Sequence, residues 1–322
     1  MTPLVSILTP AYNHARYLDN YVGGLLAQTY PNIELIIIDD ASTDATWDRL
    51  CSYRERLHQA FTRLILKRHS RNLGLIPTLN ELKNHIRGDF VAILESDDYY
   101  KPDKVAANVA FLLANPTIGA VYSDVDFLYP DREQPSHWAA LGREMPQGEV
   151  YEPLLFDNFI LTCTFCCRAD LFVQHANFEA YARRGYLTAD YPLFLDLARH
   201  TRFGYLDRSL AVYRVVENSI SHPRDLRQQF RWKKAYYQTK LDYIERYGAR
   251  REIVQRARRQ YHLQHYWFGY WSFSQTEFNQ GYAWLKAHYP AEFNRPPHRL
   301  RALSMKHKAL WEALRRAEQL RI

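Results

Sequence analysis

The chain of 322 residues carries 42 Lys and Arg against 35 Asp and Glu, a formal net charge of +7, and is 47% hydrophobic, 24% charged and 15% aromatic. That balance excludes a disordered chain, leaves room for one large domain or a domain with an appendage, and favours an anionic partner: a phosphorylated ligand, anionic lipid or nucleic acid. No apolar stretch approaches the roughly 20 residues that span a bilayer, and the chain opens on a strand-like segment rather than a leader, so a cytoplasmic protein is expected.

In chain order, residues 4–9 read as a buried strand. Leu18, Val22, Leu25 and Leu26 then recur at helical spacing, with Asn13 placed to cap that helix. A second strand over 33–38 ends in Asp39 and Asp40, and a helix opening at 42–44 sets Trp47, Leu50, Cys51 and Leu57 on one face. Residues 64–67 form a third strand. After the turn Arg71-Asn72-Leu73-Gly74, Pro77 suits the first turn of a helix bearing Leu79, Leu82 and Ile86. A fourth strand, 89–94, runs directly into Glu95-Ser96-Asp97-Asp98. Pro102 starts a helix with Val105, Val109 and Leu112 inward, and a strand follows over 118–123.

Strands alternating with helices at this spacing predict βαβ units and a mostly parallel sheet. Right-handed crossovers then put the ends of the strands at Thr9, Ile38 and Leu94 on one edge, where open α/β sheets take their ligands. Pro10 to Asn13, Asp39, Asp40 and the 95–98 segment therefore meet in one crevice. Three carboxylates within four residues repel one another unless they share a proton, a Lys or Arg, or a divalent cation. Hard oxygen ligands suit Mg2+ or Mn2+ with positions left open for substrate phosphates. A solvated acidic turn is the plainer reading.

Residues 127–148, with Pro130, Pro135 and Pro146, read as a long loop of the lid type. A second α/β portion follows, with a strand near 161–167, a helix over 190–199 and extended backbone over 205–216. Cys163, Cys166 and Cys167 read as buried thiols, since no matching His or Cys pair stands elsewhere to complete a zinc site. Past Pro223 the chain turns helical, basic and aromatic, at 230–237, 261–271 and 300–322, which divides it into 1–222 and 223–322. Two readings stand for the second part. One is a helical appendage on anionic membrane, its Trp and Tyr at the headgroup level. The other is a set of helices packing an aromatic face onto the catalytic domain.

Several segments together, in order and spacing, carry a family resemblance. They are Val5-Ser6-Ile7-Leu8-Thr9-Pro10-Ala11-Tyr12-Asn13; the run from Gln28-Thr29-Tyr30-Pro31 through Ile38-Asp39-Asp40-Ala41-Ser42-Thr43-Asp44; Asn72-Leu73-Gly74; Gly88-Asp89-Phe90; Glu95-Ser96-Asp97-Asp98; and Ala189-Asp190-Tyr191-Pro192-Leu193. Over roughly residues 3–222 the chain resembles the family 2 glycosyltransferases of the GT-A fold. The resemblance implies a Rossmann-like, mostly parallel sheet flanked by helices, here followed by a C-terminal helical appendage outside the match.

It also implies roles. Pro10, Ala11, Tyr12, Asn13 and Asp40 hold the base and ribose of a nucleotide-sugar donor, a UDP-sugar being favoured. Tyr12 offers a stacking face and Asp40 a hydrogen-bond acceptor, while Asp39 is partly structural. Glu95-Ser96-Asp97 takes the place of the Asp-x-Asp motif, so Asp97 ligates Mn2+ or Mg2+ and Glu95 faces the ribose or the water shell of the metal. Asp190 is the base that deprotonates the acceptor hydroxyl. The implied activity is inverting, metal-dependent transfer of a sugar to a glycan or lipid-linked acceptor in cell-surface polysaccharide or glycoconjugate synthesis, at or near the inner face of the membrane.

Three departures from the family pattern stand out. Glu95 is one methylene longer than the usual Asp, Ala189 replaces a Glu, and Val216 replaces a His that meets the metal or diphosphate. Glu217, His222, or Arg214 with loop cations is expected to take over that last role. Among rivals, a nucleotidyltransferase would open on a Gly-rich basic loop, which residues 9–16 lack. A non-catalytic relative keeps the fold without Asp97 and Asp190 in working positions. A nucleic-acid binder would carry a reading motif or basic groove at the strand ends, and no nucleic-acid partner is expected.

Overall fold

Residues 2–217, 219, 221 and 223–319 are described by the computed structural model, and they separate into two compact units, Met1–Val216 and Glu217–Ile322. The first unit begins with β1 (Val5–Ala11), α1 (Leu18–Leu26), β2 (Ile33–Asp39), α2 (Thr46–Ala60), β3 (Arg63–Arg68), α3 (Leu75–Lys83), β4 (Phe90–Ile93), β5 (Tyr99–Tyr100) and α4 (Lys104–Ala114). It continues with β6 (Ile118–Leu128), β7 (Glu133–Gln134), α5 (His137–Ala140), α6 (Tyr151–Phe156), β8 (Cys166–Arg168), α7 (Ala169–His175), α8 (Phe178–Arg183), α9 (Asp190–Ala198) and β9 (Arg202–Arg214). The strands form one sheet in the order β3-β2-β1-β4-β8-β6-β9-β5, with β7 on β6.

The first four strands are parallel throughout, as the alternating pattern predicts. β1 and β2 are buried along their whole length, which is why both read as mostly apolar runs rather than alternating ones. Ile33, Leu35, Ile36, Ile37 and Ile38 are each no more than 1% exposed, and burying such side chains stabilises the sheet by on the order of 2 kcal/mol apiece. One carboxylate sits inside this layer. Glu34 accepts from Ser6 Oγ, from the backbone N–H of Arg87 and Gly88, and from Arg63 at 2.7 Å, so its burial is fully compensated. The same clamp explains Gly88, where a Cβ would stand 2.6 Å from Ser6 Oγ and 2.7 Å from the Leu4 carbonyl.

Local structure departs from the sequence reading in four places. Asn13 does not cap α1: it is in the left-handed region at φ 56°, and its Oδ1 accepts from the backbone N–H of Thr43. The helix after β2 opens at Thr46, with Asp44 Oδ1 accepting from the Thr46 N–H at 2.9 Å. Residues 127–148 are more ordered than a loop: β6 runs on to Leu128, then come β7 and α5. Two buried carboxylates hold that segment, Asp124 accepting from the N–H of Trp138 and Asp126 from the N–H of Ser136. The strand expected over 161–167 shrinks to the antiparallel Cys166–Arg168 after a 3-10 turn, Thr162–Thr164. Cys163, Cys166 and Cys167 are buried free thiols, as expected.

The second unit is helical: α10 (Leu226–Tyr247), α11 (Arg251–Ser272), α12 (Gln275–His288), α13 (Pro290–Phe293), α14 (Pro296–Ser304) and α15 (Lys308–Gln319). Paired glycines let α11 and α12 approach closely. A Cβ on Gly269 would lie 2.1 Å from Phe278 N, and one on Gly281 would lie 2.4 Å from Tyr266 N. Tyr266, Tyr270, Phe278, Leu285, Phe293, Met305 and Trp311 form the core of this unit, with Trp267, Trp271 and Trp284 packed against it. Much of the aromatic content of the C-terminal third is thus spent on this interior, while Trp232, Tyr236 and Tyr237 are half-buried and Tyr247 is exposed. No helix among the described residues is long and apolar enough to cross a membrane.

Candidate active site

Parallel register brings the ends of β1 and β2 side by side, with Ala11 opposite Asp39, and β4 flanks β1 on its other edge. The backbone turns sharply just past the first two strands: Asn13 and Ala41 both have φ 56°, a conformation that non-glycine residues hold only where neighbours enforce it. Here the enforcement is mutual, since the Asn13 N–H donates to Ser42 Oγ and Asp40 N donates to the Ala11 carbonyl. Pro10 and Ala11 are buried and Tyr12 is 41% exposed.

The two neighbouring aspartates do different work. Asp39 is fully buried and consumed locally, Oδ1 by the Ser42 hydroxyl and Oδ2 by the Ser42 N–H and the Arg68 guanidinium at 3.2 Å. Asp40 organises the 73–74 turn: Oδ1 accepts from Leu73 N and His69 Nδ1, and Oδ2 from Gly74 N at 2.7 Å. A carboxylate oxygen has two lone pairs, so Oδ2 of Asp40 keeps one acceptor position. The opposite ring nitrogen of His69 meets Glu81 at 3.1 Å. Burial pulls His69 down, but hydrogen bonds to Asp40 and Glu81 outweigh it and hold the imidazole above its ordinary value.

After β4 the chain delivers the acidic cluster. One carboxylate oxygen from each of Glu95, Asp97 and Asp98 lies within 4.8 Å of the others. Burial, then the like charges of Asp97 and Asp190, push Glu95 up to about 8. Burial and the charges of Asp97 and Glu95 likewise hold Asp98 well above the usual carboxylate range. Asp97 Oδ1 is buried and accepts no hydrogen bond among the described residues, with the His14 Nδ1 ring nitrogen 3.7 Å away. Crowded carboxylates, one with an orphaned oxygen, and an all-oxygen donor set fit a hard divalent cation such as Mg2+ or Mn2+. Ser96 is buried, and its hydroxyl meets His14 Nδ1 at 2.8 Å, tying the end of β1 to this segment.

Arg214 supplies the fixed positive charge. β5 pairs with β9 at Tyr99 and Val212, which carries Arg214 back over the cluster. Its N–H donates to Asp98 Oδ1 at 2.8 Å, Nε donates to the Asp97 carbonyl at 3.0 Å, and its guanidinium lies 4.8 Å from the Tyr17 ring centroid. Of the other expected substitutes for the residue at Val216, Glu217 is paired with Arg224 within the helical unit, and His222 lies outside the described residues.

Asp190 is the first residue of α9, with Ala189 as the N-cap and no side-chain cap bond. Burial raises its carboxyl above the usual value, partly offset by hydrogen bonds from the Tyr191 and Asp190 N–H groups and the Thr188 hydroxyl. His14, His69 and Glu81 were not singled out by the sequence reading. Only His14 left a signal, standing directly after the Pro10 to Asn13 motif.

Comparison with known proteins agrees with this geometry. The model of glycosyl transferase family 2 matches residues 6–171. TuaG of Bacillus subtilis (strain 168), a glycosyltransferase provisionally named for teichuronic acid biosynthesis, is 37% identical over 225 residues, covering 68% of this chain and 82% of TuaG. Among solved structures, S. aureus TarS residues 1–349 in complex with UDP-GlcNAc superposes with a TM-score of 0.56 at 17% identity, covering 87% of this chain and 79% of that one. The mannosyltransferase PcManGT from Pyrobaculum calidifontis, in complex with GDP-Man and Mn2+, gives a TM-score of 0.54 at 18% identity over 97% of this chain and 87% of that one. The matched residues contain the strand ends, the acidic cluster and the conformationally strained turns just described, and the chain belongs to the family 2 glycosyltransferases, enzymes here built on a GT-A fold.

Proposed function

We propose that this enzyme is an inverting, metal-dependent transferase that moves a sugar from a nucleotide-diphosphate sugar to a hydroxyl of a glycan or lipid-linked acceptor. What supports the reading is the cluster of Glu95, Asp97 and Asp98, with Asp190 near enough for its charge to act on Glu95, past the same strand edge that carries Tyr12 and Asp40. Donor complexes of the fold neighbours, UDP-GlcNAc on TarS and GDP-Man with Mn2+ on PcManGT, support a nucleotide-sugar donor, and a UDP-sugar is the donor that the family resemblance favours.

In this reading the exposed ring of Tyr12 stacks on the base, the Asn13 side-chain NH2 donates to a base or ribose acceptor, and the remaining acceptor position of Asp40 takes a base or ribose donor. Asp97, with Glu95 and Asp98 in reach, would hold Mn2+ or Mg2+. When bound, the cation acts as a Lewis acid that neutralises the diphosphate as charge develops on the leaving group. Arg214 adds a second positive charge in place of the His that the family resemblance implies at position 216. Asp190 takes the proton of the acceptor hydroxyl as that oxygen bonds to the anomeric carbon, the bond to the donor phosphate oxygen breaks, and the nucleoside diphosphate departs with the electron pair. A carboxyl raised by burial is better matched to proton abstraction near neutral pH than an ordinary one.

The similarity to TuaG supports a role in polysaccharide or glycoconjugate synthesis, and this reading places the enzyme in the cytoplasm, working peripherally at the inner face of the membrane. The test is release of nucleoside diphosphate from a panel of nucleotide sugars with candidate acceptors, for wild type, Asp97→Ala and Asp190→Ala. Loss in both variants is expected, and full activity in both would end the proposal. A non-catalytic relative would bind UDP with Mn2+ and release nothing.

A further inference from the structure

Charge divides unequally between the two units. Residues 1–216 hold 21 Lys and Arg against 26 Asp and Glu, net −5, whereas residues 217–322 hold 21 against 9, net +12. The entire positive excess therefore lies in the helical unit. Its Trp and Tyr side chains are largely taken into the core, and what the last helices leave to solvent is leucine. Leu300 is 44% exposed, Leu303 50% and Leu310 38%.

At 3.6 residues per turn, Arg299, Leu300 and Leu303 fall within about 100° of one another around the axis of α14, while Arg295 is its N-cap and Lys306 follows its C-terminal end. All five are exposed, while Ser304 and Met305 face the core. Nearby acids are engaged elsewhere, Glu292 by Arg259 at 3.0 Å and Glu318 by Arg301 at 2.7 Å. Among the described residues, Arg295, Arg299 and Lys306 have no ion-pair partner. A leucine stripe rimmed by uncompensated cations is matched to a surface that is anionic outside and apolar just beneath. A second copy presenting the same cations would repel it, and a nucleic acid offers nothing to the leucines.

We propose that this face of α14 docks the enzyme on an anionic bilayer, Leu300 and Leu303 entering the headgroup–acyl boundary and the three cations meeting lipid phosphates. The inference rests on the membrane-side reading above and assigns that contact to named residues. Each basic residue at such a surface is worth about fivefold in partition coefficient, so three together are worth about 100-fold, and the attraction fades with salt.

Flotation of the full chain with vesicles tests it, using phosphatidylcholine alone and phosphatidylcholine mixed with phosphatidylglycerol. Wild type is expected to bind the mixed vesicles only. R295E/R299E/K306E should weaken binding at least about 100-fold, and L300S/L303S about tenfold, both retaining wild-type circular dichroism and soluble-donor hydrolysis. Equal binding to both vesicle types, or undiminished binding by folded variants, overturns the proposal. So does a dimer broken by these substitutions, or binding to duplex oligonucleotide alone. Vesicle binding without turnover of any donor would defeat the transfer reading and leave this surface standing, and turnover without vesicle binding would do the reverse.

Discussion

Lys104, the first residue of α4, is completely buried, and its replacement by Met tests the energetic reading of the catalytic unit. Its Nζ reaches one acceptor, the Phe165 carbonyl at 3.5 Å, and lies 5.2 Å from the Tyr100 ring centroid. Burial pushes Lys104 from 10.5 down to about 8, with the Cys166 and Cys163 thiols acting weakly the other way. At about 1.4 kcal/mol per pH unit, holding the ammonium in that site costs about 3 kcal/mol at pH 7. Between pH 8 and 10.5 the unfolded chain binds a proton that the folded chain lacks, so stability rises with pH across that window; below it the penalty is constant.

Met fills the stem volume and loses one long hydrogen bond, about 1 kcal/mol. Lys104→Met should therefore stabilise the catalytic unit by about 2 kcal/mol at pH 7, or about 4–8 °C in Tm. The advantage should fall through zero as pH rises and become slightly unfavourable, by up to about 1 kcal/mol, at pH 10.5. Urea unfolding of both proteins at the two pH values measures the double difference. A less stable Met variant at pH 7, or a gap that does not change with pH, would refute the reasoning.

Other substitutions probe the site and its support. Asp190→Asn should lower kcat about 10²–10⁴-fold with donor KM nearly unchanged, because it removes a proton acceptor and no donor contact; an equal rise in KM would move Asp190 to donor binding. His69→Phe deletes the group held between Asp40 and Glu81, so steady-state kinetics should show donor KM rising several-fold with kcat preserved. The raised His69 also sets a sign: its stabilisation is complete below its ordinary value near 6.5 and is lost as pH rises through the folded value, so the wild-type advantage over this variant in urea should decline from pH 6 to 8. Gly269→Ala forces a methyl to 2.1 Å from Phe278 N and should destabilise the helical unit by about 1–3 kcal/mol in thermal unfolding, while a neutral outcome would mean that α11 and α12 do not cross there.

Legibility in the sequence followed burial. β1, β2 and β4 are buried on both faces and announced themselves as apolar runs, and their parallel pairing carried Asp39, Asp40 and Glu95 to Asp98 to one edge without further information. The partly structural reading of Asp39 also matches, because this acid closes β2 and is enclosed by Ser42 of its own turn and by Arg68. What stayed hidden depends on contacts far apart in sequence. Asp124 and Asp126 give residues 127–148 their order through bonds to Trp138 and Ser136, which no local pattern encodes. β8 has three residues and borrows its extended form from β4 and β6. Asn13 looks like a cap until Thr43 and Asp44 arrive from the neighbouring strand end, and His69 gains meaning only beside Asp40. In the C-terminal third, aromatic content alone does not distinguish an interior from an interface, and the helical core settles it for Tyr266, Tyr270 and Trp311.

Calorimetric titration of UDP into the protein, with Mn2+ and with chelator, for wild type and Asp97→Ala, tests the central claim most directly. The account predicts that Mn2+ tightens UDP binding to wild type by at least about tenfold and leaves Asp97→Ala unchanged. Equal UDP affinity with and without Mn2+ in wild type, or the same Mn2+ enhancement in Asp97→Ala, would contradict it.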